Sequence, residues 1–289
     1  MHTIAVTGAN GEFGRGVVDH LSAAGRDVVA TARNPVAAAD LAARGIPVRP
    51  GDFDDPATLA QSLRGVDTVL INAMFVGADV ERRGGRFIAA IGAATEAGVK
   101  RIVLTSWPEA TTSPMFGAAD YVAAEEALRT AGPDWTIVRE GVTLVNPLAK
   151  EVSWAIRSGR MRAPAGDSRC APAAPTDLIE ATARIVAEPM ANGNRFEFTG
   201  PRSVSWTEIA EIAGEIAGHP VPYETIDDET FAQDLRREGL PETAIPGWLD
   251  FHAAFRSGWG SHARPDLAVV LGRAPVDTRE AIRRHVSGN

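Results

Sequence analysis

Thr3-Ile4-Ala5-Val6-Thr7-Gly8-Ala9-Asn10-Gly11-Glu12-Phe13-Gly14-Arg15-Gly16 carries, near the start of the chain, three glycines spaced three apart behind a short apolar run. Ile4, Ala5 and Val6 form an apolar run too short for a helix and soon stopped by Gly8, which predicts a buried strand. Phe13, Val17, Val18 and Leu21 recur at helical spacing, so a helix begins at Gly11 or Glu12. Gly8, Gly11 and Gly14 therefore stand at a strand-to-helix turn. Gly8 suits the tight turn, Gly11 lets the backbone approach a pyrophosphate, and Gly14 lets helix and strand pack closely. The free N–H groups and positive dipole end of the helix then face the phosphates. A glycine triplet is common by itself; between a strand and a helix it has the context of a dinucleotide site.

The same rhythm continues outward. Strands are predicted at 27–32, 46–49, 67–72, 101–105 and 135–139. Helices are predicted between them: an alanine-rich one to residue 43, one opened by Asp54-Asp55-Pro56, one at 79–97 and one at 118–130. Strands alternating with helices imply parallel pairing through right-handed crossovers, an α/β fold with a Rossmann-type doubly wound parallel sheet. Its ligand belongs beyond the carboxyl ends of the strands. There, an NAD site places an acid after the second strand to accept from the ribose 2′-hydroxyl, but this chain has Ala32-Arg33. A guanidinium forks around a 2′-phosphate that a carboxylate would repel, so the expected cofactor is NADP(H). Arg15 is a second, weaker candidate for that phosphate. Asp52 and Phe53 close the third strand and serve either adenine or, respectively, a helix cap and a core anchor. Asn72-Ala73 falls beside the nicotinamide ribose, and Thr105-Ser106-Trp107 near the nicotinamide.

The chain has 289 residues and 30.5 kDa, enough for one large or two smaller domains, and its 45% hydrophobic content supports a full core. A net charge of −8 argues against nucleic-acid or anionic-membrane surfaces, which need a basic face. The single cysteine, Cys170, has no disulfide partner within the chain and reads as a small buried residue, which suits a reducing cytoplasm. An N-terminus that enters a strand at once predicts no signal peptide, and no apolar run reaches membrane-spanning length. The six histidines and the carboxylates show no metal-ligand spacing, so no metal is expected.

Thr7-Gly8-Ala9-Asn10-Gly11-Glu12-Phe13-Gly14, Ala32-Arg33-Asn34-Pro35, Gly51-Asp52-Phe53, Gly65-Val66-Asp67 and Gly98–Ser106 together resemble the atypical short-chain dehydrogenase/reductases, in the NmrA-like branch. Within it the chain is similar to bacterial NADPH:quinone oxidoreductases and triphenylmethane reductases over nearly its whole length. The resemblance implies that Gly8, Asn10, Gly11, Glu12, Phe13, Gly14, Arg33, Asp52, Phe53, Asn72, Ala73 and Thr105 contact NADPH. Typical short-chain reductases carry tyrosine and lysine four apart, whereas here Tyr121 is followed by Glu125. An ionised glutamate there would raise the tyrosine's pKa, which favours a packing role for Tyr121. Arg139-Glu140-Gly141 departs from the Arg-Asn-Gly common in the branch, leaving Glu140 to contact substrate, relay a proton or pair with Arg139. The candidate proton-handling residues are thus Ser106, Tyr121 and Glu140. A quinone or cationic dye accepts hydride directly, whereas a simple ketone needs a proton donor. The expected function is reduction of a small conjugated or aromatic acceptor. The alternatives are a non-catalytic NADP(H) sensor of the NmrA type and a pathway-specific ketone or enone reductase.

After residue 141 the rhythm breaks. Asn146-Pro147 is expected to open a helix, 160–167 to be a turn, Pro175-Thr176-Asp177 to cap a helix, and 195–199 to be a half-exposed strand. Ser205 and Glu208 fit a capping box. The expected division is a nucleotide domain at 1–145 with 168–190 packed on it, and a smaller α+β substrate-side subdomain at 146–167 and 191–289. Trp107, Met115, Phe116, Trp154, Trp248 and Trp259 are candidates for an aromatic pocket. The expected assembly is a monomer or homodimer.

Overall fold

The computed structural model of the chain describes residues 2–72, 82–140, 142–188 and 193–286. Strands β1 (Thr3–Val6), β2 (Asp27–Ala32), β3 (Val48–Pro50), β4 (Thr68–Ile71), β5 (Arg101–Ser106) and β6 (Asp134–Glu140) pair in parallel. With β9 (Asn194–Phe198) they form a seven-stranded sheet in the order β3-β2-β1-β4-β5-β6-β9. Every residue of β4 and β5 is buried, as expected for parallel strands covered on both faces. The chain runs outward from β1 through β2 to β3, then returns to add β4 on the other side of β1. That reversal is the topological switch point where doubly wound sheets bind ligands.

The connecting helices are α1 (Glu12–Ala23), α2 (Ala39–Ala43), α3 (Pro56–Ser62), α4 (Arg83–Glu96) and α5 (Ala118–Thr130), with α7 (Pro175–Ala187) preceding β9. The expected start of α4, at residue 79, lies outside the described residues. Phe87, Ile91 and Ala94 of α4 and Tyr121, Ala124 and Leu128 of α5 share one core cluster with Val69, Ile71, Ile102 and Leu104 of the sheet. Gly84 has a packing reason in α4, since a Cβ there would lie 2.7 Å from Asp120 Oδ1.

The chain divides into two compact units. The first comprises Met1–Ala110, Ala119–Glu140 and Thr176–Glu197, and holds the sheet. The second comprises Thr111–Ala118, Gly141–Pro175 and Phe198–Asn289. Most of β9 thus belongs with the sheet, whereas sequence spacing put it in the smaller subdomain.

In the second unit, α6 (Val142–Ser158), α8 (Trp206–Ala217) and α12 (Thr278–Val286) pack together. Ser205 and Glu208 form the expected capping box at the start of α8. Helix α6 begins at Val142 and carries Pro147 inside it, where Asn146-Pro147 is expected as its opening. The expected turn at 160–167 contains β7 (Met161–Ala163), which pairs with β11 (Tyr223–Thr225). Strands β8 (Arg169–Cys170) and β10 (Val204–Ser205) form a second ribbon, and α9 (Asp228–Arg237), α10 (Ile245–Arg256) and α11 (Asp266–Leu271) complete the unit. Of the candidate pocket aromatics, Trp154 and Trp248 have ring centroids 5.1 Å apart and pack on Phe231 and Leu235 of α9, and Trp248 and Trp259 both lie against Phe251 of α10. Trp107 lies against Tyr121 of the first unit.

Candidate active site

The glycine loop has the geometry its spacing implies. Gly8 has φ +68°, and the Gly11 amide donates to its carbonyl at 3.0 Å. A Cβ on Gly14 would lie 2.5 Å from the Gly8 carbonyl oxygen, so helix and turn meet backbone to backbone there. Gly11 is the N-cap of α1 and offers no side-chain cap, which leaves first-turn N–H groups for an anion. An added Cβ on Gly11 would meet nothing nearer than 3.5 Å, so the space above the loop is open. This cradle fits a pyrophosphate. Gly16, not singled out by the glycine pattern, has a tighter packing role: a Cβ there would lie 2.8 Å from Ile179 of α7.

At the switch point, the Asn72 side chain lies against Gly8. The Asn72 amide donates to Thr7 Oγ1 at 2.9 Å, and Thr105 Oγ1 donates to Asn72 Oδ1 at 3.4 Å. The ends of β1, β4 and β5 are thereby tied together. Ala73 lies outside the described residues. Asn10 donates to the Asn34 carbonyl at 3.1 Å, joining the glycine loop to the turn after β2. Glu12 is exposed and Phe13 half-buried at the start of α1.

The two candidate arginines separate. Arg15 is bound to Asp40, whereas Arg33 is exposed and makes no hydrogen bond or ion pair among the described residues. Asp54, whose carboxyl feels Arg33, is gripped by Arg86 at 2.9 Å and by Arg82 at 3.0 Å. The Arg86 hydrogen bonds hold that carboxyl below its usual range. Asp52 turns Oδ1 onto the Asp54 amide at 3.0 Å, while the cap of α3 is Asp55. The helix-cap alternative for Asp52 therefore falls to its neighbour. Phe53 packs on the core, as an anchor would.

Beyond β5 and β6, the three expected proton-handling groups do not converge. Ser106 is fully buried and donates to Glu125 Oε1 at 2.7 Å. Arg139, the register partner of Ser106, grips both oxygens of Glu125 at 2.7 and 2.8 Å. Burial raises the Glu125 pKa, but the bonds from Arg139 and Ser106 outweigh it and hold the carboxyl below its usual value. Glu140 points to the opposite sheet face, because successive strand residues alternate sides. Its Oε1 accepts from Thr182 of α7 at 2.6 Å, and its Oε2 has no hydrogen-bond partner among the described residues. Complete burial pushes its pKa up to about 8. Pairing with Arg139, one of the three alternatives for Glu140, does not occur, for the same reason of strand alternation. Tyr121 is 2% exposed, its ring between Phe87 and Trp107 at centroid distances of 5.2 and 5.5 Å. The Arg83 guanidinium covers it at 5.4 Å from the ring centroid.

The Glu125 network was not legible from motifs. Helical spacing of four from Tyr121 marks Glu125, and strand parity puts Ser106 and Arg139 on one face, but their meeting is tertiary. Among the described residues no cluster of three or more histidines, cysteines and carboxylates could hold a metal ion.

An uncapped helix opening on a switch point, with arginine where an acid would select NAD, defines an α/β dinucleotide-binding protein. The NAD(P)H-binding family matches residues 8–158. The chain is 34% identical to quinone oxidoreductase 2 of Escherichia coli (strain K12) over 281 residues, covering 96% of this chain and 97% of that one. It is 30% identical to the NAD(P)H azoreductase of Xenophilus azovorans, covering 97% and 94%. The Citrobacter sp. triphenylmethane reductase complexed with NADP(H) superposes with a TM-score of 0.90 at 26% identity, covering 98% and 99%. The chain belongs to the NAD(P)H-binding family, in the NmrA-like branch of the atypical short-chain dehydrogenase/reductases. It is a reductase that draws hydride from NADPH.

Proposed function

We propose that this reductase passes hydride to a small conjugated acceptor of the quinone or dye class, one that stabilises its own charge on reduction. The observation that carries this reading is the withdrawal of every expected proton donor. The Ser106 hydroxyl donates its hydrogen bond to Glu125, Tyr121 is packed in the core, and Glu140 is buried against Thr182. A ketone reduced in such a site would form its alkoxide with none of these three acids at hand. A quinone or a cationic dye would not need one. The names of the quinone oxidoreductase and azoreductase relatives support the same acceptor class.

The residues would divide the work as follows. The first-turn amides of α1 and Gly11 hold the pyrophosphate, and Arg33 the 2′-phosphate. Asp52 and Phe53 border the adenine, and Asn72 and Thr105 the nicotinamide ribose. When bound, the dinucleotide supplies the hydride, and the protein's task is orientation. The test is a pair of variants, Tyr121→Phe and Glu140→Gln, assayed with a soluble naphthoquinone. Loss of a general acid costs about 10²–10⁴-fold in rate. Both variants are expected to keep kcat within about tenfold, below that range. A larger loss in either, with the fold intact, would return that residue to proton transfer.

A further inference from the structure

Glu125 stands four residues after Tyr121, where a short-chain carbonyl reductase carries its lysine, and its surroundings give it another task. Its carboxylate takes Ser106 Oγ at 2.7 Å, both arms of Arg139 at 2.7 and 2.8 Å, and Arg129 at 3.2 Å. Arg139 extends its remaining arm to Glu197 Oε1 at 2.8 Å, and Glu197 Oε2 accepts from the Glu109 amide at 3.2 Å. Glu125 and Arg139 are 0% and 2% exposed. Glu109 has φ +48°, the one non-glycine residue of positive φ among those described. A side chain in that left-handed region is held against its own preference, and such strain persists where surroundings fix it. One contact that holds it is the far end of the same chain of charges.

We propose that Glu125 is a positioning residue: with Arg139 and Glu197 it braces the carboxyl ends of β5 and β6 and the strained turn at Glu109, and so sets the nicotinamide end of the cofactor site. A buried ion pair returns little net stability over apolar side chains of the same volume, so the brace's product is geometry. Four segments meet in it: the end of β5, the turn that follows, α5, and the β6–β9 edge. The brace contains none of the adenosine-end residues, Gly11, Arg33 or Asp52. This inference rests on the reading that the nicotinamide lies beyond β5.

The test compares two ligands that differ by the nicotinamide alone: NADPH and 2′-phospho-ADP-ribose. Their dissociation constants are measured by calorimetry on the full chain and on Glu125→Gln, which keeps the volume and removes the charge. Glu125→Gln is expected to leave 2′-phospho-ADP-ribose binding within about twofold and to weaken NADPH by about tenfold, a factor within reach of a displaced positioning group. With a naphthoquinone, kcat is expected to fall by about 10- to 100-fold while KM for the quinone moves little. Glu197→Gln, at the half-buried end of the brace, is expected to weaken NADPH in the same sense and to a smaller degree, and to leave 2′-phospho-ADP-ribose within about twofold. Equal weakening of both ligands, no change in either, or failure of both variants to fold would overturn the proposal and leave a structural ion pair. If the wild type oxidised no NADPH with any acceptor, the functional reading would fail, and the binding comparison would still decide on the brace.

Discussion

Arg33 and Arg15 show what a single residue's partners decide. Both are cations near the glycine loop in sequence, but Arg15 is committed to Asp40 while Arg33 has no ion pair among the described residues. A charge-assisted bond to a 2′-phosphate is worth about 1.5–3 kcal/mol, on the order of 10- to 100-fold in affinity. Arg33→Ala is expected to raise the dissociation constant for NADPH by that factor and leave NADH within about twofold. Equal loss for both, by calorimetry, would remove the assignment. Glu140 makes a second prediction through its pKa of about 8, raised by burial from a usual 4.5. The folded state then binds the extra proton between those values, so stability falls as pH rises through that window and levels off above it. Glu140→Gln has nothing to ionise and is expected to gain about 1–3 kcal/mol over the wild type at alkaline pH, with little difference at acid pH. Thermal melts across the window check it; a variant less stable at alkaline pH would contradict it. The reading of Arg33 comes from its position alone. The surroundings of Glu140 were not, since nothing local tells that α7 covers that face.

Among the elements, the strand-to-helix turn was read well because its glycines answer to backbone geometry rather than to distant packing. Gly14 and Gly11 are separable. Gly14→Ala would drive a Cβ into the Gly8 carbonyl, backbone that cannot step aside, at about 1–3 kcal/mol of stability. Gly11→Ala meets nothing nearer than 3.5 Å and is expected to fold with a melting temperature near the wild type while losing NADPH affinity. Equal melting temperatures for the two variants would refute this division. Boundaries of long elements followed from periodicity: β2 and α5 begin and end where spacing put them. What escaped were four strands of two or three residues in the second unit, β7, β8, β10 and β11, too short to show alternation. The start of α6 escaped as well, because Pro147 reads as a first-turn residue and lies inside the helix. Strand β9 was visible as a strand but not as the seventh strand of the sheet, since pairing partners leave no local trace.

For the whole molecule, the alternating rhythm led directly to the doubly wound sheet, and the family comparison bears out the dinucleotide. No described helix is long and apolar enough to cross a membrane. The proposed acceptor class was the least legible part, because it is argued from contacts that are tertiary: Ser106 with Glu125, Glu140 with Thr182, and Tyr121 under Arg83. The most direct measurement is NADPH consumption by the purified chain with a naphthoquinone, a cationic triarylmethane dye and an unactivated ketone of similar size. The quinone or the dye is expected to be reduced with kcat/KM at least about 100-fold above the ketone, the margin a missing general acid imposes. Comparable turnover of the ketone, or tight NADPH binding with no turnover of any acceptor, would contradict it.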